Sequence, residues 1–310
     1  MDRPTSRNPF VFVVGCPRSG TTLLQRILDH HPQLAVTNDS HFIPRAVKGM
    51  DADAATPLTP DLVDRVVEYR RFHRLGVDEA TARAAASGTE TYAGFVGALY
   101  DVVAGQAGKP LAGEKTPDYV RSLPLLHRVF PDARIVHIVR DGRDTALSLL
   151  DWATPTKGPG KLALWGSEPL AVAALWWAWQ AGAGRRDGNA IGPDRYLEIR
   201  YEDLVLEPDR VMRAVSGFLD LDFTSEMLDY HVGRMKDSDG RSAKSAWLPP
   251  TPGLRDWRIK FSDDDLALFE VLVGDVLTSF GYELARQSPS RDTLRRADEI
   301  RRQWEIEPPR

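Results

Sequence analysis

Residues 10–24 read Phe10-Val-Phe-Val-Val-Gly15-Cys-Pro-Arg18-Ser-Gly20-Thr-Thr22-Leu-Leu24. The run 10–14 is apolar and rich in valine, which predicts a strand buried on both faces. A tight loop opens on Gly15, and a helix start is expected at 20–22. A strand, a glycine loop and a helix start together form a phosphate cradle, because loop amides and the positive end of the helix converge on an anion. A nucleoside-triphosphate loop would read G-x-x-x-x-G-K-[ST]. The two glycines are present at that spacing, but Thr21 stands where the lysine would be. The only cation inside the loop is Arg18. The loop is therefore built to hold a phosphate without the lysine that spans the β- and γ-phosphates.

Working outward, strands are expected at 134–139 and 195–199, with a short one near 111–112. Helical patterns fall between them at 23–30, 119–130, 145–150 and 208–219. Strand–helix alternation implies a mostly parallel sheet wound on both sides, with ligands outside the carboxyl ends of the strands. Residues 59–107 break that alternation with three helical stretches at 61–73, 78–86 and 92–106. They read as a helical insertion forming a lid or acceptor wall. Segment 162–186 carries Trp165, Trp176, Trp177 and Trp179, a pattern of core packing. The tail at 288–310 is charged, and the whole chain reads as a single domain over 1–310.

Bulk properties narrow the classes. The 310 residues are 42% hydrophobic and 27% charged, with a formal net charge of −4, which gives no support to nucleic-acid binding. Cys16 is the one cysteine, so no internal disulfide forms and a reducing compartment fits; it reads as a small buried residue. The chain shows no signal peptide, and its most apolar stretch, 169–183, falls short of the ~20 residues a membrane span needs. The expected location is cytoplasmic.

Three further clusters carry chemistry. Glu114-Lys115-Thr116-Pro117 follows the short strand, where Lys115 can replace the cation missing from the loop. Arg140-Asp-Gly-Arg-Asp144 ends a strand and leads to Ser148, about two helical turns on; Arg140 and Ser148 can hold a second phosphate. Alternatively, 140–144 is a capping salt-bridge cluster. Tyr201-Glu-Asp-Leu follows the third strand, where a tyrosine can contact a base.

With these motifs in place, the chain resembles the sulfotransferases that use 3′-phosphoadenosine 5′-phosphosulfate (PAPS), over 10–45, 111–152 and 195–220 and more loosely over 254–283. The resemblance implies a P-loop-like α/β sheet, PAPS as sulfuryl donor, 3′,5′-adenosine bisphosphate (PAP) as product, and no metal. It implies that Arg18, Ser19, Gly20, Thr21 and Thr22 hold the 5′-phosphosulfate, that Arg140 and Ser148 hold the 3′-phosphate, and that Tyr201 lies near the adenine. Sulfuryl transfer is an in-line displacement, so Arg18 and Lys115 are expected to stabilise the leaving phosphate.

The cytosolic enzymes of this family carry Lys-Thr-His, with the histidine as base. Here Pro117 takes that place, and Leu23 replaces an aromatic residue after the threonines. Segment 31–45 instead looks similar to the tyrosylprotein sulfotransferases, in which the second acid of a Gly-Glu-Glu-Thr-Arg string is the base. Asp39 occupies that register, with His41 as its rival and a helix or turn cap as the plain alternative. An aspartate base is expected to need partial desolvation to raise its pKa. Segment 239–245 and Trp257-Arg258 are further contact candidates, Arg258 on the donor. The expected acceptor is a hydroxyl or amine of a small metabolite, glycan or lipid. The rivals are an ATP-dependent small-molecule kinase, disfavoured by Thr21, and a non-catalytic nucleotide-binding protein.

Overall fold

A computed structural model describes residues 7–232, 256–285 and 288–306. The chain runs β1 (Val11–Val14), α1 (Thr21–Asp29), β2 (Leu34–Asn38), α2 (Phe42–Ala46), α3 (Pro60–Val67), α4 (Glu79–Ala86), α5 (Tyr92–Gln106), β3 (Leu111–Lys115), α6 (Leu123–Val129) and β4 (Arg134–Val139). It continues through α7 (Gly142–Trp152), α8 (Pro169–Ile191), β5 (Tyr196–Arg200), α9 (Tyr201–Leu206), α10 (Pro208–Phe218), α11 (Trp257–Lys260), α12 (Asp263–Ser279) and α13 (Arg291–Ile306).

The sheet order is β2-β3-β1-β4-β5 and every pairing is parallel. All four residues of β1 are buried, as a central strand covered on both faces requires. Its side chains alternate between two cores. Val11 and Val13 pack with Leu24 and Ile27 of α1 and Met212 and Val215 of α10. Phe12 and Val14 pack with Phe95 and Leu99 of α5 and Leu126 of α6. A third core joins α7, α8, α12 and α13 around Trp177 and Phe269. Trp176 and Trp177 are buried there, as the tryptophan pattern of 162–186 implied, and Cys16 is buried beside them.

The α/β architecture follows the alternation, but five details differ. β2 was not anticipated: it is an edge strand whose last two residues, Thr37 and Asn38, are polar, so it lacks the apolar run of β1. Stretch 61–73 divides into α3 and a 3-10 turn, Phe72–Leu75. Stretch 119–130 divides at Ser122 into a 3-10 turn, Pro117–Arg121, and α6. The short strand expected near 111–112 runs on to Lys115, so Glu114 and Lys115 lie inside it and not after it. The charged tail contains α13, which buries Ala297 and Ile300. The insertion is built into the core on one face of the sheet, with Leu62, Val66, Phe72, Tyr92 and Tyr100 all buried. No helix among the described residues is long and apolar enough to cross a membrane.

Because all five strands run the same way, their carboxyl ends share one rim. That rim holds the 15–20 loop, Asp39, Lys115, Arg140 and Tyr201.

Candidate active site

The loop after β1 turns back on itself through Ser19 N–H donating to the Cys16 carbonyl at 3.1 Å. Arg18 sits at φ 80 and Gly20 at φ 95, both in the left-handed region. Gly20 is needed for a second reason. A Cβ there would stand 2.4 Å from the Tyr201 ring, which packs directly on the loop. The helix α1 then begins at Thr21, so its first amides face the loop. Ser19 is fully buried, and its Oγ has no hydrogen-bond partner among the described residues. Thr21 is buried and Thr22 half-buried.

Arg140 leaves the end of β4 and is buried. Its guanidinium lies 4.5 Å from the centre of the Tyr201 ring and 3.6 Å from the Asp144 carboxylate. The carbonyl of Arg140 accepts from Trp177 Nε1 at 3.1 Å, which ties the strand end to α8. Arg140 Nε is buried without a partner among the described residues. Ser148, on α7, accepts from Arg18 Nε at 2.9 Å. Arg18 is therefore brought to Ser148 and the Arg140 side of the rim. The capping reading of 140–144 also has a counterpart here. Asp141 caps α7 by accepting from Arg143 N–H at 2.9 Å and pairs with the Arg143 guanidinium at 2.8 Å. Burial, with Asp141 and Glu202 nearby, pushes the Asp144 carboxyl up to about 6, against the pull of Arg140.

On the other side of β1, Lys115 stands opposite Val13 in the β1–β3 register and is 1% exposed. Its ammonium donates to Asn38 Oδ1 and, at 3.0 Å, to Asp39 Oδ1. Arg74, from the insertion, reaches Asp39 Oδ2 at 3.8 Å. Burial pushes the Asp39 carboxyl up, but Lys115, His41 and Arg74 together hold it below its ordinary value. The desolvated, raised-pKa aspartate expected of a base is thus not what this site contains. Burial and the charge of Arg71 lower His41 to about 3, so its imidazole is neutral at pH 7. His41 Nδ1 lies 3.8 Å from Asp118, whose carboxyl burial pushes up.

The structure brings together Arg18, Ser19, Gly20, Tyr201, Arg140 and Ser148 on one side and Lys115, Asp39 and His41 on the other. Arg258 stands apart: it is exposed, pairs with Asp256 at 3.8 Å and stacks on Trp257. Segment 239–245 lies outside the described residues. Sequence reasoning did not single out Asn38 or Arg74 for a role, and it gave Asp144 only a place in the 140–144 salt-bridge cluster. Asn38 and Arg74 reach the site only through β2 and the 72–75 turn, neither of which was foreseen.

Comparison with known proteins gives the same direction. Protein-tyrosine sulfotransferase A of Caenorhabditis elegans is 26% identical over 226 residues, 72% of this chain and 53% of that protein. The chain thus spans about half the length of that relative. The nodulation protein NoeE of Sinorhizobium fredii is 26% identical over 315 residues, 93% of this chain and 69% of that protein. In fold, the sulfotransferase domain from the Synechococcus PCC 7002 olefin synthase aligns with a TM-score of 0.61 at 23% identity, covering 92% of this chain and 98% of that one. The sequence model of the sulfotransferase family matches residues 9–225, which include every strand of the sheet and both sides of the rim, and the chain belongs to that family.

Proposed function

We propose that this chain transfers a sulfuryl group from PAPS to a hydroxyl or amine of a small metabolite, glycan or lipid. The observation that carries the reading is the pair of buried polar atoms, Ser19 Oγ and Arg140 Nε, which have no partner among the described residues. We assign them to the two phosphates of a donor that carries one at its 5′ and one at its 3′ position. Other buried polar atoms of the chain are also unpartnered, but these two stand at the carboxyl ends of β1 and β4, where they fit a ligand rich in acceptor oxygens.

Arg18, Ser19, Gly20, Thr21 and Thr22 are assigned to the 5′-phosphosulfate, and Arg140 and Ser148 to the 3′-phosphate. The hydrogen bond from Arg18 to Ser148 makes the two grips one unit. Tyr201, wedged between Gly20 and Arg140, is assigned to the adenine side. PAPS supplies a sulfuryl group already bonded to a good leaving group, its 5′-phosphate. The acceptor oxygen or nitrogen forms the new bond to sulfur. The bridging S–O bond breaks, and its electron pair stays with the phosphate.

Lys115 is the cation assigned to the oxygen on which that charge develops; one such fixed donor is worth about 3–4 kcal/mol. Asp39 takes the acceptor proton. Its carboxylate is held below its ordinary pKa chiefly by Lys115, against the effect of its own burial. Engaging Lys115 with the leaving phosphate removes that restraint, and burial then makes Asp39 a stronger base. His41, neutral at pH 7, is the competing proton acceptor. A second acceptor class, a protein tyrosine, is favoured by the likeness to the nematode protein-tyrosine sulfotransferase A.

The deciding experiment is calorimetric binding of PAP and of ATP, each with and without Mg²⁺. Tight, metal-independent binding of PAP that weakens about 10- to 100-fold in Arg140→Ala supports the donor site. Preference for ATP with Mg²⁺ overturns it in favour of a kinase. PAPS turnover with small phenols, hydroxylated glycans and tyrosine peptides then separates the acceptor classes.

A further inference from the structure

Glu114 takes no part in the chemistry above, yet it is fully buried in β3 and collects five hydrogen-bond donors. Its Oε1 accepts from Ser40 N–H at 3.0 Å, from Ser40 Oγ at 2.8 Å and from Thr116 Oγ1. Its Oε2 accepts from Thr37 Oγ1 and from Tyr100 OH, each at 2.5 Å. No ion pair to Glu114 exists among the described residues. A carboxylate taken out of water without a cation is costly, and only such a set of donors makes it tolerable. Packing alone would be served better by an apolar residue of the same volume.

What Glu114 grips explains its presence. Ser40 is the middle residue of Asp39-Ser40-His41, and both flanking residues are in the left-handed region, Asp39 at φ 54 and His41 at φ 61. Non-glycine residues persist there only when their surroundings over-determine them. The next turn is pinned too: Ile43 N–H donates to Tyr119 OH at 3.1 Å, and Tyr92 OH donates to the Ile43 carbonyl at 2.8 Å. Neighbouring residues of β3 divide the work. In register Thr37 faces Glu114 and Asn38 faces Lys115. Glu114 thus takes Thr37 and Ser40, while Lys115 takes Asn38 and Asp39.

We propose that Glu114 is a positioning residue: it latches the strained Asp39–His41 turn so that the Asp39 carboxylate is presented to Lys115. Tyr100 carries this latch into α5, which makes the helical insertion part of the catalytic support. The proposal gains its functional meaning from the reading of Asp39 as base, but its geometry does not depend on that reading.

The test compares Glu114→Ala, Glu114→Gln and Tyr100→Phe with the parent protein. The main readout is the titration of the Asp39 carboxyl by carbon NMR, assigned with Asp39→Asn. In the parent, the Asp39 midpoint is expected below its ordinary value, because Lys115 lies beside it. Glu114→Ala releases the turn from Lys115, and the Asp39 midpoint rises by about one unit or more. Glu114→Gln keeps an acceptor for Ser40, and its remaining hydroxyl partners can rotate, so it restores most of the parental value. Tyr100→Phe, the variant of choice if Glu114→Ala does not fold, moves the midpoint the same way by less. An unmoved Asp39 midpoint in a folded Glu114→Ala or Tyr100→Phe protein overturns the proposal. Turnover of PAPS, followed as PAP release, should fall about 100-fold in Glu114→Ala at unchanged KM for PAPS. In the Asp39→Asn background the same change should add almost nothing; additive losses overturn the proposal. If the parent neither binds PAP nor turns over PAPS, the proposed function fails, and the Asp39 titration still decides the latch.

Discussion

The two sides of the rim are built on opposite principles. On the β1–β4 side, key polar atoms are buried but unsatisfied among the described residues: Ser19 Oγ and Arg140 Nε have no partner. On the β2–β3 side the polar groups satisfy one another, with Lys115 on Asn38 and Asp39 and with Glu114 on Thr37, Ser40, Tyr100 and Thr116. The first arrangement is completed by a ligand and so favours binding. The second is complete in itself and holds charged groups in place before any ligand arrives, as electrostatic preorganisation requires. The difference separates donor affinity from the chemical step.

Replacing one cation on each side tests that separation. Lys115→Ala should lower PAPS turnover about 1,000-fold, the upper range for losing one preorganised donor. PAP affinity, measured by calorimetry, should change less than about tenfold, because this cation is assigned to the transition state and not to the resting donor. Arg140→Ala should do the reverse. PAP should bind about 10- to 100-fold more weakly, as the loss of charge-assisted bonds to a phosphate predicts, with turnover at saturating PAPS almost unchanged. An Arg140→Ala enzyme that binds PAP normally but turns over slowly would erase the distinction between the two sides.

The same contrast governs what the sequence alone reveals. The donor side is written in two short, locally spaced segments, 15–22 and 140–148, because a loop and a helix start grip phosphate with backbone and near neighbours. The residues proposed for the donor could therefore be picked out from local spacing alone. Lys115 was legible as a charge at a strand end. The side that carries Lys115 and Asp39 depends on contacts between distant stretches of sequence, Lys115 to Asp39 across 76 residues and Arg74 to Asp39 across about half that separation, which no local pattern encodes. β2, the strand that carries Asn38 toward the rim, has too short an apolar run to announce itself. Glu114 did leave a signal. The strand expected near 111–112 runs on to Lys115, and a glutamate inside a strand that pairs on both sides is a buried charge that asks for an explanation; the signal needed the full extent of β3 to be read. The helix α12 was also signalled, by Ser262 at its N-cap and three aspartates in its first turn.

Asp144 provides the smallest and most delicate probe of the donor side. It lies 3.6 Å from the Arg140 guanidinium and accepts from Trp257 N–H at 3.0 Å. Burial pushes its carboxyl from 3.8 to about 6, more than Arg140 draws it down. The folded protein therefore holds the Asp144 proton more tightly than the unfolded chain does. Its contribution to stability is fully present below about pH 4 and is lost as the pH rises through about 6. At pH 7 the ionised carboxylate is a net burden. Asparagine keeps an oxygen for the Trp257 amide and removes that charge. Asp144→Asn should therefore be more stable than the parent at pH 7, on the order of 1–2 kcal/mol, with the gain shrinking toward zero near pH 4. Urea denaturation at both pH values measures this directly. Asp144 also competes with a phosphate for Arg140, so the same variant should bind PAP a few-fold more tightly at pH 7. A variant that is less stable at pH 7 and binds PAP more weakly would mean that Asp144 orients Arg140 for the donor. The donor side would then be preorganised after all, like the acceptor side across the sheet.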